Sequence, residues 1–208
     1  FSWLLAEQSI VIYHPDKDVV CNSVLSLHFL IKPLTWTFCS LSLLSPSFLE
    51  ILNIPHPVII GTIKPIQPGN QFLLVNLERD EITLNEEIIL HPKASQFYKS
   101  FQKHFSSLKN RSPNPTLAME VLDKCREYVK QMLDVFNSSI ISDFSNSEHI
   151  KSRFFIELYL QHFQAPERDF MQQFCSTQMA MLYIEQLCRK RSDDMKPTSI
   201  SSFSLDQS

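Results

Sequence analysis

The stretch Ile54-Pro55-His56-Pro57-Val58-Ile59-Ile60-Gly61 constrains the fold more than any other part of the chain. Two prolines make its entry rigid, an all-apolar run follows, and one of only 2 glycines in the sequence closes it. A continuous Val/Ile run has both faces covered, which predicts a central strand in a sheet sandwiched between helices. Period alone does not separate so short a run from a buried helix segment, so the flanks decide. Upstream stand an apolar strand pattern (Ser9 to Tyr13), a long apolar helix pattern (Asp18 to Ile31) and an aromatic strand pattern holding Trp36 and Phe38. Downstream come a second apolar run, Phe72 to Leu77, and then only helical patterns.

The 208 residues suit one domain of ordinary size, or one domain with a helical appendage, and are enough to bury a core. A net charge of -3 gives no basic stripe for nucleic acid, so no nucleic-acid partner is expected. The 5 cysteines are far apart with no C-x-x-C pair, which signals free thiols in a reducing compartment rather than a zinc site or a disulfide framework. No apolar run approaches the roughly 20 residues that a membrane helix needs, so no transmembrane segment is expected. The opening Phe1 to Glu7 reads as the last turns of a helix without an initiator Met, which predicts a fragment.

The β-rich run Ser9 to Tyr13 ends at His14-Pro15-Asp16, where Asp16 or Asp18 can cap the next helix. That helix carries Val20, Val24, Leu27 and Ile31 at helical spacing, with Leu25, Phe29 and Leu30 widening the stripe, and is expected to be mostly buried until Lys32-Pro33 stops it. Leu34 to Leu44 contains the Thr35, Trp36, Thr37, Phe38 alternation expected of a strand, and Ser45-Pro46 opens a short helix through Leu52. Two strand-helix-strand units in succession predict right-handed crossovers and a mainly parallel sheet. The short link Lys64 to Asn70 favours an antiparallel or edge pairing for Gln71 to Leu77, taken as the final strand, with Glu78 to Glu81 a solvated turn.

From Pro92 the period is helical: a stripe of Phe97, Phe101, Phe105 and Leu108, a long helix opened by Asn114-Pro115 and carrying Val121 to Phe136, a helix boxed by Ser145 and Glu148 through Leu158, and a last helix from Arg168 to Arg191. The fold class is therefore α/β, a mainly parallel sheet flanked by helices and followed by an all-helical C-terminal subdomain. Its parts are residues 1–90 (α/β), 91–191 (helical) and a disordered tail at 192–208.

Little here carries covalent chemistry. Phosphate loops need several glycines, and neither Gly61 nor Gly69 has a partner. The 7 histidines form no H-x-x-x-H set, and no glycine-bounded Ser or Cys suggests a nucleophile, so no catalytic residue, cofactor or metal is expected. His28 on an apolar helix face fits a hydrogen-bonded core histidine. His56, between two prolines, fits a rigid connection or an interface.

Several of these segments resemble a known family. Phe1 to Ile12 looks like the helix-to-strand passage of the central DENN segment, Leu30 to Trp36 its apolar, proline and tryptophan stretch, Pro46-Ser47-Phe48-Leu49 its short leucine helix, and Ile54 to Gly61 its P-x-P-apolar-apolar-Gly signature. Phe72 to Glu78 is similar to a strand that usually carries an aspartate, with Asn76 and Glu78 here instead. Phe170 to Met179 resembles the closing helix with its Thr-Gln pair, here Thr177-Gln178. The resemblance implies a DENN-type regulator that promotes GDP release from a Rab GTPase by binding its switch regions, without covalent catalysis. It implies a cytoplasmic protein, peripheral on vesicle or endosomal membranes, that works with an N-terminal longin-like half of the same parent protein.

An alternative from another class is a non-catalytic DENN-like interaction module in a heteromeric GTPase-regulating complex. Another is a GTPase-activating component using an exposed arginine, for which Arg79, Arg111 and Arg153 are available. Functional surface in parallel sheets gathers at strand ends, which makes His14, Asp16, Lys17 and Asp18 after the first strand, with Lys64 and Gln67 after the proline-bracketed one, the partner-binding candidates.

Overall fold

Strand β1 (Ile10–Tyr13) is buried along its whole length, as an Ile-Val-Ile-Tyr run must be when both faces of its sheet are covered. The computed structural model describes residues 1–69, 71–84, 91, 93–95, 97–99, 101–102, 115–143 and 151–195. In it β1 is flanked by β3 (Val58–Thr62) and β4 (Leu73–Asn76), both parallel to it, with Ile10 opposite Ile59 on one side and Leu73 on the other. Strand β2 (Cys39–Leu41) pairs in parallel with β3, and β5 (Glu81–Thr83) pairs antiparallel with β4, so the sheet has 5 strands in the order β2-β3-β1-β4-β5. The molecule is thus a mixed α/β fold with a mostly parallel sheet flanked by helices and a helical C-terminal region. The proline-bracketed run is the strand its composition demands, with Ile59 and Ile60 both at 0% exposure.

Helix α2 (Lys17–Leu30) returns the chain from β1 towards β2. Val20, Val24 and the following Ile31 are fully buried, but Leu25 and Phe29 are about half exposed, so the helix buries a narrower stripe than the apolar count predicts. Gly61 explains how closely the helix approaches. A Cβ on Gly61 would collide with the carbonyl oxygen of Ser42 and with Cγ1 of Val20, and the Gly61 carbonyl itself accepts from Leu44 N–H at 2.7 Å. Only a residue without a side chain lets the chain after β2 and helix α2 both rest on β3. The segment Pro46–Asn53 between β2 and β3 is a 3₁₀ helix with proline in its first turn, as the Ser45-Pro46 pair implies.

Three expectations for this half are corrected. Of the strand expected within Leu34–Leu44 only Cys39–Leu41 forms, because Trp36 turns inward to the core and its indole N–H donates to the Cys39 carbonyl. Strand β4 pairs in parallel, not antiparallel, because the connection from β3, without a helix in residues 63–69 and 71–72, returns the chain to the opposite end of the sheet. The sheet does not stop at β4: the turn Leu77–Asp80, with Asp80 at φ 57°, leads directly into β5 as a hairpin edge.

Helix α3 (Pro115–Ser138) begins at Pro115, as a proline at the first helical position predicts, and buries Cys125, Tyr128, Val129, Met132, Leu133 and Phe136. These pack into one hydrophobic cluster with Trp3, Leu4, Ile10, Ile12 and Ile59 from the sheet half, and with Tyr159, Phe170 and Phe174. The C-terminal half is not wholly helical. After α3 come strands β6 (Ile140–Asp143) and β7 (Lys151–Phe154), an antiparallel hairpin, and then the short α4 (Ile156–Gln161). Residues 151–154 were expected to be helical; Phe154 instead packs edge-on against Phe136 at 5.2 Å, which fixes them in a strand. The Ser145/Glu148 box, Phe105 and Leu108 lie outside the described residues.

The expected last helix is two, α5 (Ala165–Cys175) and α6 (Gln178–Asp194), broken at Ser176-Thr177. Thr177 causes the break: its hydroxyl donates to the Phe174 carbonyl at 2.6 Å and accepts from Ala180 N–H at 3.3 Å, ending one helix and capping the next. The first two amides of α6 go elsewhere. Gln178 N–H and Met179 N–H donate to the two carboxylate oxygens of Glu7 at 2.6 and 2.7 Å, across the whole sequence. Glu7 is 6% exposed and holds a left-handed backbone, φ 50°, just after α1 (Ser2–Leu5). Helix α6 continues to Asp194, beyond the expected start of the tail, and residues 196–208 lie outside the described residues.

Gly61→Ala is expected to lower stability by about 1–3 kcal/mol, because two neighbours, one of them backbone, must move. Chemical denaturation measures it, and a change below about 0.5 kcal/mol would contradict the close approach.

Candidate functional site

The parallel pairing of β1 with both β3 and β4 sets the carboxyl ends of three adjacent strands side by side, with Tyr13 opposite Thr62 and Asn76. Everything leaving those ends forms one polar rim. His14 N–H donates to the Thr62 carbonyl at 3.3 Å and Leu77 N–H to the Tyr13 carbonyl at 3.0 Å, so the three exits are tied to each other by backbone bonds.

The sequence left open whether Asp16 or Asp18 caps α2, and the geometry decides for Asp16. Its Oδ1 accepts from Asp18 N–H at 2.8 Å, while its own N–H donates to Nδ1 of His14 at 3.0 Å. An acceptor at Nδ1 puts the neutral ring's proton on Nε2. Lys17 and Asp18 project, exposed, from the first turn of α2, where the helix dipole favours the Asp18 carboxylate. Lys64 is also exposed, on backbone fixed by Thr62, whose hydroxyl donates to the Lys64 carbonyl at 3.0 Å and accepts from Lys64 N–H at 3.2 Å. The structure therefore brings His14, Asp16, Lys17, Asp18 and Lys64 to one end of the sheet. Gln67 is exposed on the extended connection that leads away from that end.

The sequence reading missed the third strand's contribution. Asn76 Oδ1 accepts from both Glu78 N–H and Arg79 N–H at 3.1 Å, an Asx turn that folds Glu78 back onto the rim. There the Glu78 carboxylate accepts from the Tyr13 hydroxyl at 3.0 Å. Burial and the Glu78 carboxylate both hold the Tyr13 phenol above its usual value. The available signal was Asn76 at the end of an apolar run; it was hidden because this strand was expected to pair antiparallel or at an edge. Arg79 stands on the same turn, whereas Arg153 belongs to β7 in the helical half and Arg111 lies outside the described residues.

The rim's exposed charges are mixed, with Lys17, Lys64 and Arg79 against Asp18 and Glu78. Its backbone is held by the hydrogen bonds just described. The most perturbed imidazole is elsewhere. His91 is 2% exposed in a cage of Phe1, Phe97, Tyr128 and Phe170, with its ring 4.5 Å from that of Tyr128. Burial, helped by the positive charge of Lys93, holds it down to about 4. Its Nδ1 and the Tyr128 hydroxyl make no hydrogen bond among the described residues. His28 is half-buried rather than in the core, and its Nε2 meets Ser40 Oγ at 2.8 Å; His56 is exposed and stacks on Phe38 at 6.4 Å. Among the described residues no helix is long and apolar enough to cross a membrane.

Residues 1–85 match the family model described as the DENN (AEX-3) domain, which covers the whole five-stranded sheet and every rim residue. No curated protein matches the chain.

The buried His91 gives stability a pH dependence whose sign follows from linkage. Unfolded, the ring takes up a proton near 6.5, whereas the folded ring resists it to about 4, so the unfolded state binds more protons between those values. The contribution of neutral His91 is complete above pH 6.5 and is lost as pH falls towards 4. Between pH 7 and 5 this amounts to about 2 kcal/mol. Denaturation midpoints should therefore fall less between pH 7 and 5 in His91→Phe than in the wild type, and equal falls would contradict it.

Proposed function

Because residues 1–85 match the model of the DENN (AEX-3) domain, a family whose members regulate small GTPases, we propose that this chain promotes release of GDP from a Rab GTPase by docking the rim at the carboxyl ends of β1, β3 and β4 against the GTPase switch segments. The observation that carries the reading is the exposure of Lys17 and Lys64 on backbone locked by its own hydrogen bonds. Side chains displayed from a fixed frame lose little entropy on binding, and a preorganised surface can therefore favour one partner conformation over another.

Exchange asks for no covalent step. A surface that binds the nucleotide-free GTPase better than the nucleotide-bound form by about 4 kcal/mol accelerates release about a thousandfold. Charged side chains of both signs fit that task, because the switch segments that hold magnesium and phosphate are themselves polar, and charge complementarity sets register and encounter rate. The Rab surface would be shared with a longin-like half, which makes that half the second partner of this fold. Cytoplasmic action at vesicle or endosomal membranes follows from the same reading.

Fluorescent-GDP release from a panel of Rab GTPases tests this, with the chain combined with a longin-like half. Lys17→Glu with Lys64→Glu should slow stimulated release by about tenfold or more at an unchanged melting temperature, since rim charges act on association rather than folding. Unchanged release would remove the rim from the interface and turn attention to the helical half.

A further inference from the structure

A partly enclosed hollow of about 200 Å³ lies along α3 in the C-terminal half. Tyr128, Met132 and Val135 on α3 form one wall, spanning about 10 Å at helical rise, and Glu167 and Met171 on α5 form another. Its floor is held in place. Met132 and Met171 are buried, and the Tyr159 hydroxyl meets the Met132 carbonyl at 3.4 Å and Met171 Sδ at 3.6 Å. His162 stands at the Val135 end, where Ser138 Oγ donates to the Val135 carbonyl and so accepts from His162 Nε2.

Two opposite charges gather around Tyr128. Glu167 is half-buried, and its Oε2 accepts from Gln164 N–H at 3.1 Å, which fixes the carboxylate. Burial, and after it the Glu167 charge, holds the Tyr128 phenol well above its ordinary value, so that carboxylate lies near the hydroxyl. Lys93 is exposed, and its charge acts on the His91 ring, which lies 4.5 Å from that of Tyr128. Lys93 and Glu167 line the same hollow without forming an ion pair with each other. Tyr128 itself is 7% exposed, and its hydroxyl makes no hydrogen bond among the described residues.

These groups select a small zwitterion. A lone cation would meet the Lys93 ammonium and a lone anion the Glu167 carboxylate, whereas a molecule carrying both charges close together sets each against its opposite. Its carboxylate can also accept from the Tyr128 hydroxyl, a buried donor of the kind that ordinarily has a partner. The thioethers of Met132 and Met171 give an adaptable apolar surface beside the charges. Volume sets the size. Roughly 150 Å³ holds benzene and drug-sized ligands need about 300 Å³ or more, so the hollow suits one free amino acid and is too small for a lipid or a peptide.

We propose that this hollow binds a free α-amino acid with an apolar side chain, its ammonium at Glu167, its carboxylate at Lys93 and the Tyr128 hydroxyl, and its side chain over Met132 and Met171. The site is separate from the rim, so its test needs no GTPase. Methyl NMR of Met132 and Met171 in the full chain follows titration with leucine, leucinamide and 4-methylpentanoate. Leucine should shift both methyl signals saturably, while leucinamide, which lacks the carboxylate, and 4-methylpentanoate, which lacks the ammonium, should bind about tenfold or more weaker. Glu167→Gln, whose amide oxygen can still accept from Gln164 N–H, and Tyr128→Phe should each weaken leucine binding by about tenfold. Should either variant lower the melting temperature, the comparison of leucine with its two analogues in the wild type decides alone. No saturable shift with leucine, valine or methionine overturns the proposal, as does equal binding of leucine and its analogues, or leucine binding unchanged in both variants.

Discussion

Two amide hydrogens at the start of α6 and the carboxylate of Glu7 hold the first turn of the chain to its last helix. The arrangement satisfies a complete set of orphan donors. Of the four amides that open α6, Gln178 and Met179 donate to Glu7, Ala180 to the Thr177 hydroxyl and Met181 to the Thr177 carbonyl. A negative charge at a helix N-terminus is further favoured by the helix dipole. Burial pushes the Glu7 carboxyl up, and the two amide bonds pull it back towards ionisation. Glu7 keeps a left-handed φ of 50°, a conformation that a glutamate adopts only when its surroundings insist. The same turn sends the chain into β1, so the strand on which the rim is built is positioned by the helix it helps to cap.

Much of this was written in local sequence. The Ile54–Gly61 run, with its flanks, read as a covered strand, and Gly61 is glycine because Ser42 and Val20 leave no room for a Cβ. The α3 stripe was legible because 24 residues give helical period many turns to declare itself. Where the reading failed, a non-local contact overrode a local signal. Phe154 joined a hairpin because Phe136 was there to receive it, and Leu25 and Phe29 stayed half exposed because nothing among the described residues covers that face of α2. The break at Thr177 was invisible to periodicity, since the two helices bury faces that run on almost continuously.

The candidate site was half legible. Strand ends in a parallel sheet direct attention to the residues after β1 and β3, and those residues do stand together. Asn76, Glu78 and Arg79 were missed because their place depends on β4 returning in parallel beside β1, which a short helix-free link does not announce. Asp16, by contrast, turns out to be occupied with capping α2, and its rim role is to orient His14 and Lys17 rather than to offer a free carboxylate.

The central claim is that the Glu7 carboxylate, and not the shape of the turn, joins the two ends of the chain. Glycine at position 7 separates these, because it relieves the left-handed backbone, worth about 1 kcal/mol, while removing both hydrogen bonds. Two buried amides left without acceptors cost about 1–3 kcal/mol each. Urea denaturation of Glu7→Gly beside the wild type should therefore show a net loss of about 1–5 kcal/mol. A Glu7→Gly protein as stable as the wild type, or more so, would contradict the account.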